Sequence, residues 1–231
     1  MTTSGNYRPK DRMVDLITED YRFLQVLSRF GIPLGFGDKS IEEVCNTTGV
    51  DCKTFLTVVN FINNDSLPSD DIDLSLSSLL HYLQQSHIYF LEFFLPSIRR
   101  KLLDAIKMRD SDVSFLIIKL FDEYVEGVAE HMNEEENNLF KTVNEIYLRR
   151  SDKYEEMPAT NKHHAKVGTK LKELKNIILK YCPEGPNANL LNAALYDIYR
   201  CEEELTSHCM IEDLLLLPAL AAEKSSKTHV D

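Results

Sequence analysis

Two short stretches place a glutamate four residues after a histidine: His131 and Glu135 in "HMNEE", His208 and Glu212 in "HCMIE". Four residues is about one helical turn, so each imidazole would share a helix face with its carboxylate. Both pairs run into apolar residues, "NNLF" (137–140) and "DLLLLP" (213–218). A carboxylate on the core face of a helix is costly unless it is paired or binds a cation. Neither stripe carries a lysine or arginine to supply the opposite charge. Neutral imidazoles and carboxylates are ligands for iron, manganese or zinc, and one glutamate can bridge two metals with one oxygen on each.

The elements that position these groups follow from apolar periodicity. Four long helical patterns run over about 74–107, 112–149, 160–181 and 188–222, with polar or Pro- and Gly-bearing breaks between them. In the first, His87 joins Leu80, Leu83, Phe90, Leu91 and Phe94, whereas His81 sits among Ser77, Ser78, Gln84 and Gln85. In the second, Phe121, Tyr124, Val128, His131, Glu135, Leu139 and Ile146 form one stripe, with Glu134 and Glu136 at its sides. In the third, His164 leads into Val167, Leu171, Leu174 and Ile178, while His163 falls with Lys166 and Lys170. In the fourth, Ala194, Ile198, Cys201, Leu205, His208, Glu212, Leu215 and Ala219 lie together.

Each helix thus gives one histidine to the core face, and the second and fourth add a glutamate. His87 to His131 and His164 to His208 are both 44 residues apart, so the chain reads as two helical hairpins of one design. Six converging groups predict a dinuclear metal centre. They are too few to saturate two six-coordinate ions, which leaves room for an oxo or hydroxo bridge and an open position for a small molecule. Glu-x-x-His, the ferritin-type arrangement, and HExxH, the zinc-protease arrangement, are both absent. Tyr124 and Cys201, two turns before the histidines of their own helices, are the candidates for the surroundings of the centre, with ordinary core packing as the plainer role.

Composition agrees with a helical, soluble reading. The chain has 231 residues, 43% apolar, with only 8 Gly, 8 Pro and no Trp. A net charge of −11 speaks against nucleic acid or an anionic membrane as partner. No apolar run approaches the roughly 20 residues of a membrane span, and "MTTSGNYRPKDR" lacks the apolar core of a signal peptide. The expected location is cytoplasmic. Five cysteines without CxxC spacing predict reduced thiols rather than a disulfide framework or structural zinc.

The expected architecture is all-α, an antiparallel four-helix bundle over 74–223 preceded by a small helical domain over 1–66. In the smaller part a helix runs from Val14 through Ile17, Tyr21, Leu24 and Leu27. "GIPLGFGD" (31–38) ends it, "SIEE" (40–43) forms a capping box with Ser40 and Glu43, and a further helix spans about 52–62. "NNDSLPSDDID" (63–73) is the expected linker.

His87, "HMNEEENNLF", "HAKVG" (164–168) and "HCMIEDLLLLP" together resemble the hemerythrin-like HHE cation-binding bundle. With its added N-terminal part the chain resembles the repair-of-iron-centres proteins, di-iron proteins of the nitrosative and oxidative stress response. The resemblance implies that His87, His131, Glu135, His164, His208 and Glu212 hold two iron ions, both glutamates bridging. It implies a role in restoring damaged iron–sulfur clusters through iron donation or nitric oxide chemistry, with those cluster proteins as partners. One departure stands out: Gly35 and Phe36 occupy the place of the family's two adjacent cysteines, and Asp38 replaces its second glycine. That leaves packing or a homodimer contact as the role of the N-terminal part; Cys45 and Cys52 have a spacing that matches no thiol motif. The alternative reading is a module that binds or senses oxygen or nitric oxide without repair, and iron storage is a third. His and Glu ligands suit manganese and zinc as well as iron.

Overall fold

The computed structural model describes residues 5–64, 74–106, 112–147, 161–182 and 187–228; within these, 146–147, 161–168 and 224–228 are described by backbone alone. The expected linker therefore lies almost wholly outside the described residues, as do most of the connection at 149–161 and half of that at 182–189. The described chain is all-α, its one β-type contact being an isolated bridge between Arg12 and Ser40. Two compact units emerge, one of residues 1–86, 143–150 and 210–231, the other of residues 87–142 and 151–209.

The first unit opens with α1 (Met13–Glu19), α2 (Phe23–Arg29), α3 (Ile41–Thr48) and α4 (Cys52–Asn64). The helix expected through Val14–Leu27 is thus two helices. Asp20 breaks it: its backbone is extended at φ −146°, ψ 104°. Its carboxylate accepts the Arg22 N–H at 2.9 Å, offering the backbone a turn in place of the helix ladder. The break shifts the buried face. Phe23, Val26 and Leu27 enter the core, while Tyr21 is 60% exposed and Leu24 38% exposed, against the expected stripe.

The capping box at α3 is as expected: the Glu43 N–H donates to Ser40 Oγ at 3.2 Å, and the Ser40 N–H to Glu43 Oε2 at 2.8 Å. Gly49 ends α3 at φ 74°, a left-handed conformation that glycine adopts without a Cβ penalty. Asp51 then caps α4, accepting the Thr54 N–H at 2.8 Å. Phe30 packs on Phe55 and on Tyr82, ring centroids 5.4 and 4.9 Å apart, which ties α2 and α4 to α5 (Leu76–Ile88).

Beyond α5 come π1 (Tyr89–Phe94), α6 (Leu95–Ile106), α7 (Asp112–Glu135), π2 (Glu136–Phe140), α8 (Lys141–Tyr147), α9 (Asn161–Tyr181), α10 (Ala188–Ile211), π3 (Glu212–Leu216) and α11 (Leu217–Thr228). The four long helices stand where the periodicity put them, but three carry a π-helical turn that it did not foresee. Two of these turns have a proline behind them. Leu95 N–H bonds back to Phe90 O and Leu217 N–H to Glu212 O, each just before Pro96 or Pro218, which has no N–H to give. At π2 a side chain intrudes instead: the Asn137 amide donates to the Asn133 carbonyl at 2.7 Å, competing with the helix ladder.

The core of the second unit draws on all four long helices. Phe90, Ile98 and Leu102 meet Phe121, Tyr124 and Val128, Leu174 and Ile178, and Ile198 and Leu205. Polar ties brace its rim: Arg99 grips Asp122 with two bonds of 2.7 and 2.9 Å, and Lys101 pairs with Asp197. Ala188–Glu223 is long and apolar enough to cross a membrane by length and composition alone, a test that the core helix of a soluble protein also passes.

Candidate metal centre

Within the second unit the histidine and glutamate stripes converge. His87 stands one residue before the end of α5, His131 and Glu135 in the last turns of α7, and His208 near the end of α10. None of the four is more than 5% exposed. His87, Glu135 and His208 each turn a ligand-type atom toward one point, all within 4.8 Å of one another. His131 joins through the carboxylate.

Glu135 is the centre of this arrangement. Its Oε1 lies 3.0 Å from His131 Nε2, and its Oε2 lies 3.0 Å from His87 Nε2 and 3.7 Å from His208 Nε2. The two oxygens of one buried carboxylate thus face different imidazoles. His87 Nε2 also comes to 3.2 Å from His208 Nε2. Two ring nitrogens and a carboxylate oxygen meeting in a buried core are the donor set that a borderline metal ion takes. This chemistry fits a cation.

Aromatic rings close the surroundings. Phe140 stacks on His87 with centroids 5.0 Å apart and planes 16° apart, and Phe90 stands edge-on to His208 at 6.3 Å. His87 meets a further carboxylate on its far side, Nδ1 lying 3.0 Å from Glu136 Oε1. Burial pulls the His87 pKa down, but hydrogen bonds to Glu135 and Glu136 outweigh it and hold the pKa above its usual value.

The other expected residues divide. Glu212 belongs to the first unit; it is fully buried, one turn beyond His208, and opens π3. The backbone of His164 lies on α9 as expected, but its side chain is outside the described residues, as is that of His163. His81 is exposed, in keeping with its polar neighbours. Glu136 was missed. Periodicity puts it beside the stripe, and within the run Glu134–Glu136 nothing in the sequence marks it from the exposed Glu134.

Tyr124 and Cys201 do meet, Oη to Sγ at 3.7 Å, each two turns before the histidine of its own helix. Burial pushes the Cys201 thiol up to about 12 and raises the Tyr124 hydroxyl as well, so both stay neutral. Their contact joins α7 to α10. All five cysteines are free thiols, as the sequence suggested.

The profile of the hemerythrin HHE cation binding domain matches residues 78–220, which take in every expected ligand. No curated protein and no solved structure matches the chain. The match covers well over half of the sequence, and the chain belongs to the hemerythrin HHE cation-binding family.

Proposed function

We propose that this HHE cation-binding chain holds two iron ions between its long helices and serves the cytoplasmic response to nitrosative or oxidative stress, supporting repair of iron–sulfur clusters. The observation that carries the two-metal reading is Glu135, whose Oε1 faces His131 while Oε2 faces His87 and His208. A carboxylate so divided would let Glu135 help hold both ions, with His131 on one side and His87 and His208 on the other. Glu212 follows His208 as Glu135 follows His131 and takes the same part on the fourth helix. His164 supplies the imidazole of the third.

Iron in such a site supplies reversible redox chemistry and an open position for nitric oxide or oxygen. The chain's own part is to hold and orient. Glu136 accepts the Nδ1 proton of His87, which fixes the tautomer and leaves Nε2 as the donor atom. Phe140 and Phe90 keep water from the imidazoles of His87 and His208. Damaged cluster proteins are the partners of this reading.

A second reading, oxygen or nitric oxide sensing without repair, draws support from the loop at 31–38. Gly35 and Phe36 stand there in place of adjacent thiols that could pass iron onward.

Metal content on protein purified without oxygen tests the proposal, with optical spectra before and after nitric oxide. Two irons per chain and a spectrum altered by nitric oxide are expected. No metal, or one zinc, would overturn it. His131→Ala and His208→Ala should each abolish binding, and His81→Ala should leave it whole; dependence on His81 would refute the assignment of faces.

A further inference from the structure

On the surface of the second unit, α6 and α7 border an open groove of about 610 Å3. Arg99 of α6 and Asp122 of α7, bonded to each other, stand among its walls. Along α7 the walls change character. Toward the start of the helix they are Phe115, Ile118 and Lys119; toward its end they are Asp122, Glu123, Val125 and Glu126. Phe115 is 75% exposed, Leu116 follows it, and Leu103 stands one turn beyond Arg99, both also exposed. An exposed apolar patch rimmed by charge marks a contact surface.

We propose that this face is the contact between two copies of the chain, α7 lying antiparallel on its counterpart about a two-fold axis. In such a contact one patch meets itself, so it must complement its own reverse. The groove has that property. Its first half carries the larger apolar side chains and the Lys119 ammonium, and its second half carries three carboxylates. Reversal sets the apolar, basic half of each copy against the acidic half of the other. Phe115 then turns toward Val125 of the second copy, and Lys119 toward the carboxylates around it. A parallel pairing would set carboxylate against carboxylate, which costs affinity.

The charges on the groove single out the pair that reports on the contact. Asp122 is engaged by Arg99, and Glu123 lies 3.8 Å from Lys170 and 3.9 Å from Lys119 of its own chain. Glu126 is exposed at the acidic end, seven residues or two turns from Lys119 on the same face. Packed helices run about 8–10 Å apart, a gap that a lysine and a glutamate side chain span together. Two chains of net charge −11 repel each other at long range, so association depends on such local matching. One helix pair buries a small area, which makes the dimer a reversible one. None of these residues is a ligand of the metal centre, so the contact is read independently of iron.

Sedimentation velocity on the full chain, 26.6 kDa, over a concentration series tests this. A reversible rise from the monomer to twice its mass is expected. Phe115→Ala should weaken the dimer by about tenfold or more, as loss of an aromatic anchor does. Lys119→Glu and Glu126→Lys should each weaken it, and the double variant, which restores opposite charges across the two-fold axis, should recover it. All three side chains are exposed, so helix content by circular dichroism should stay unchanged. Leu34→Glu, at a 68% exposed side chain of the first unit, should leave the dimer intact. A chain that stays monomeric up to about 1 mM would overturn the proposal. So would a dimer that Leu34→Glu breaks and Phe115→Ala spares, or one that the double charge reversal fails to restore.

Discussion

At the scale of the residue, the centre depends on carboxylates of two kinds. Glu135 is buried among imidazoles and has the geometry of a ligand; Glu136, with its side chain 38% exposed, meets His87 at Nδ1, on the far side of the ring from Glu135. Glu136→Ala should therefore keep the fold and the metal stoichiometry while weakening affinity by about 10–100-fold, the usual cost of losing the carboxylate behind a ligating histidine. Competition with a chelator of known affinity measures this, and an unchanged affinity would remove Glu136 from the site. Its absence from the sequence reading has a physical cause. Helical spacing assigns a residue to a face, whereas Glu136 reaches its partner from the edge of one, across to a helix 49 residues away. His87, His131, Glu135 and His208 were legible because burying such groups together is expensive enough to leave a pattern.

At the scale of the element, the extents of the long helices were readable and their internal register was not. Apolar periodicity tolerates one extra residue per turn, and a π turn is that extra residue. π1 begins two residues after His87, π2 directly after Glu135, and π3 at Glu212, so three of the expected ligands stand at the mouth of a widened turn. Pro96 and Pro218 were visible signals of a disturbed ladder, while the amide of Asn137 gave none that spacing could show. The break at Asp20 escaped for a similar reason, since a carboxylate that bonds its own backbone looks like any surface acid in a periodic pattern. The π turns make a prediction. Deleting Phe93, which is 65% exposed in π1, should return that turn to α register and rotate His87 by about 100° relative to Phe94 and the core beyond it. Helix content by circular dichroism should hold while metal binding is lost. Retained binding would mean that the wide turn does not set the direction of His87.

At the scale of the whole molecule, the buried thiols link stability to alkaline pH. Burial raises Cys45 and Cys201 from 9.0 to about 12 each, and both are buried in the fold, one in each compact unit. A group whose folded pKa is raised contributes stability that is whole below its unfolded pKa and disappears as pH climbs through the folded one. Below pH 9 both states keep these protons and nothing changes. Between pH 9 and 12 the unfolded chain releases two protons that the folded chain retains, so stability should fall by up to about 1.4 kcal/mol per pH unit for each thiol. The buried Tyr124 hydroxyl, also raised, adds to the fall once the unfolded tyrosine begins to ionise near the ordinary value of 10.0. Urea midpoints between pH 8 and 11, taken under reductant, measure the slope. Cys201→Ala lowers stability at every pH through its cavity but removes one titrating group, so its slope should be shallower by about one proton. Equal slopes for the two proteins would mean that Cys201 ionises as easily in the bundle core as in the open chain, and that water reaches it there.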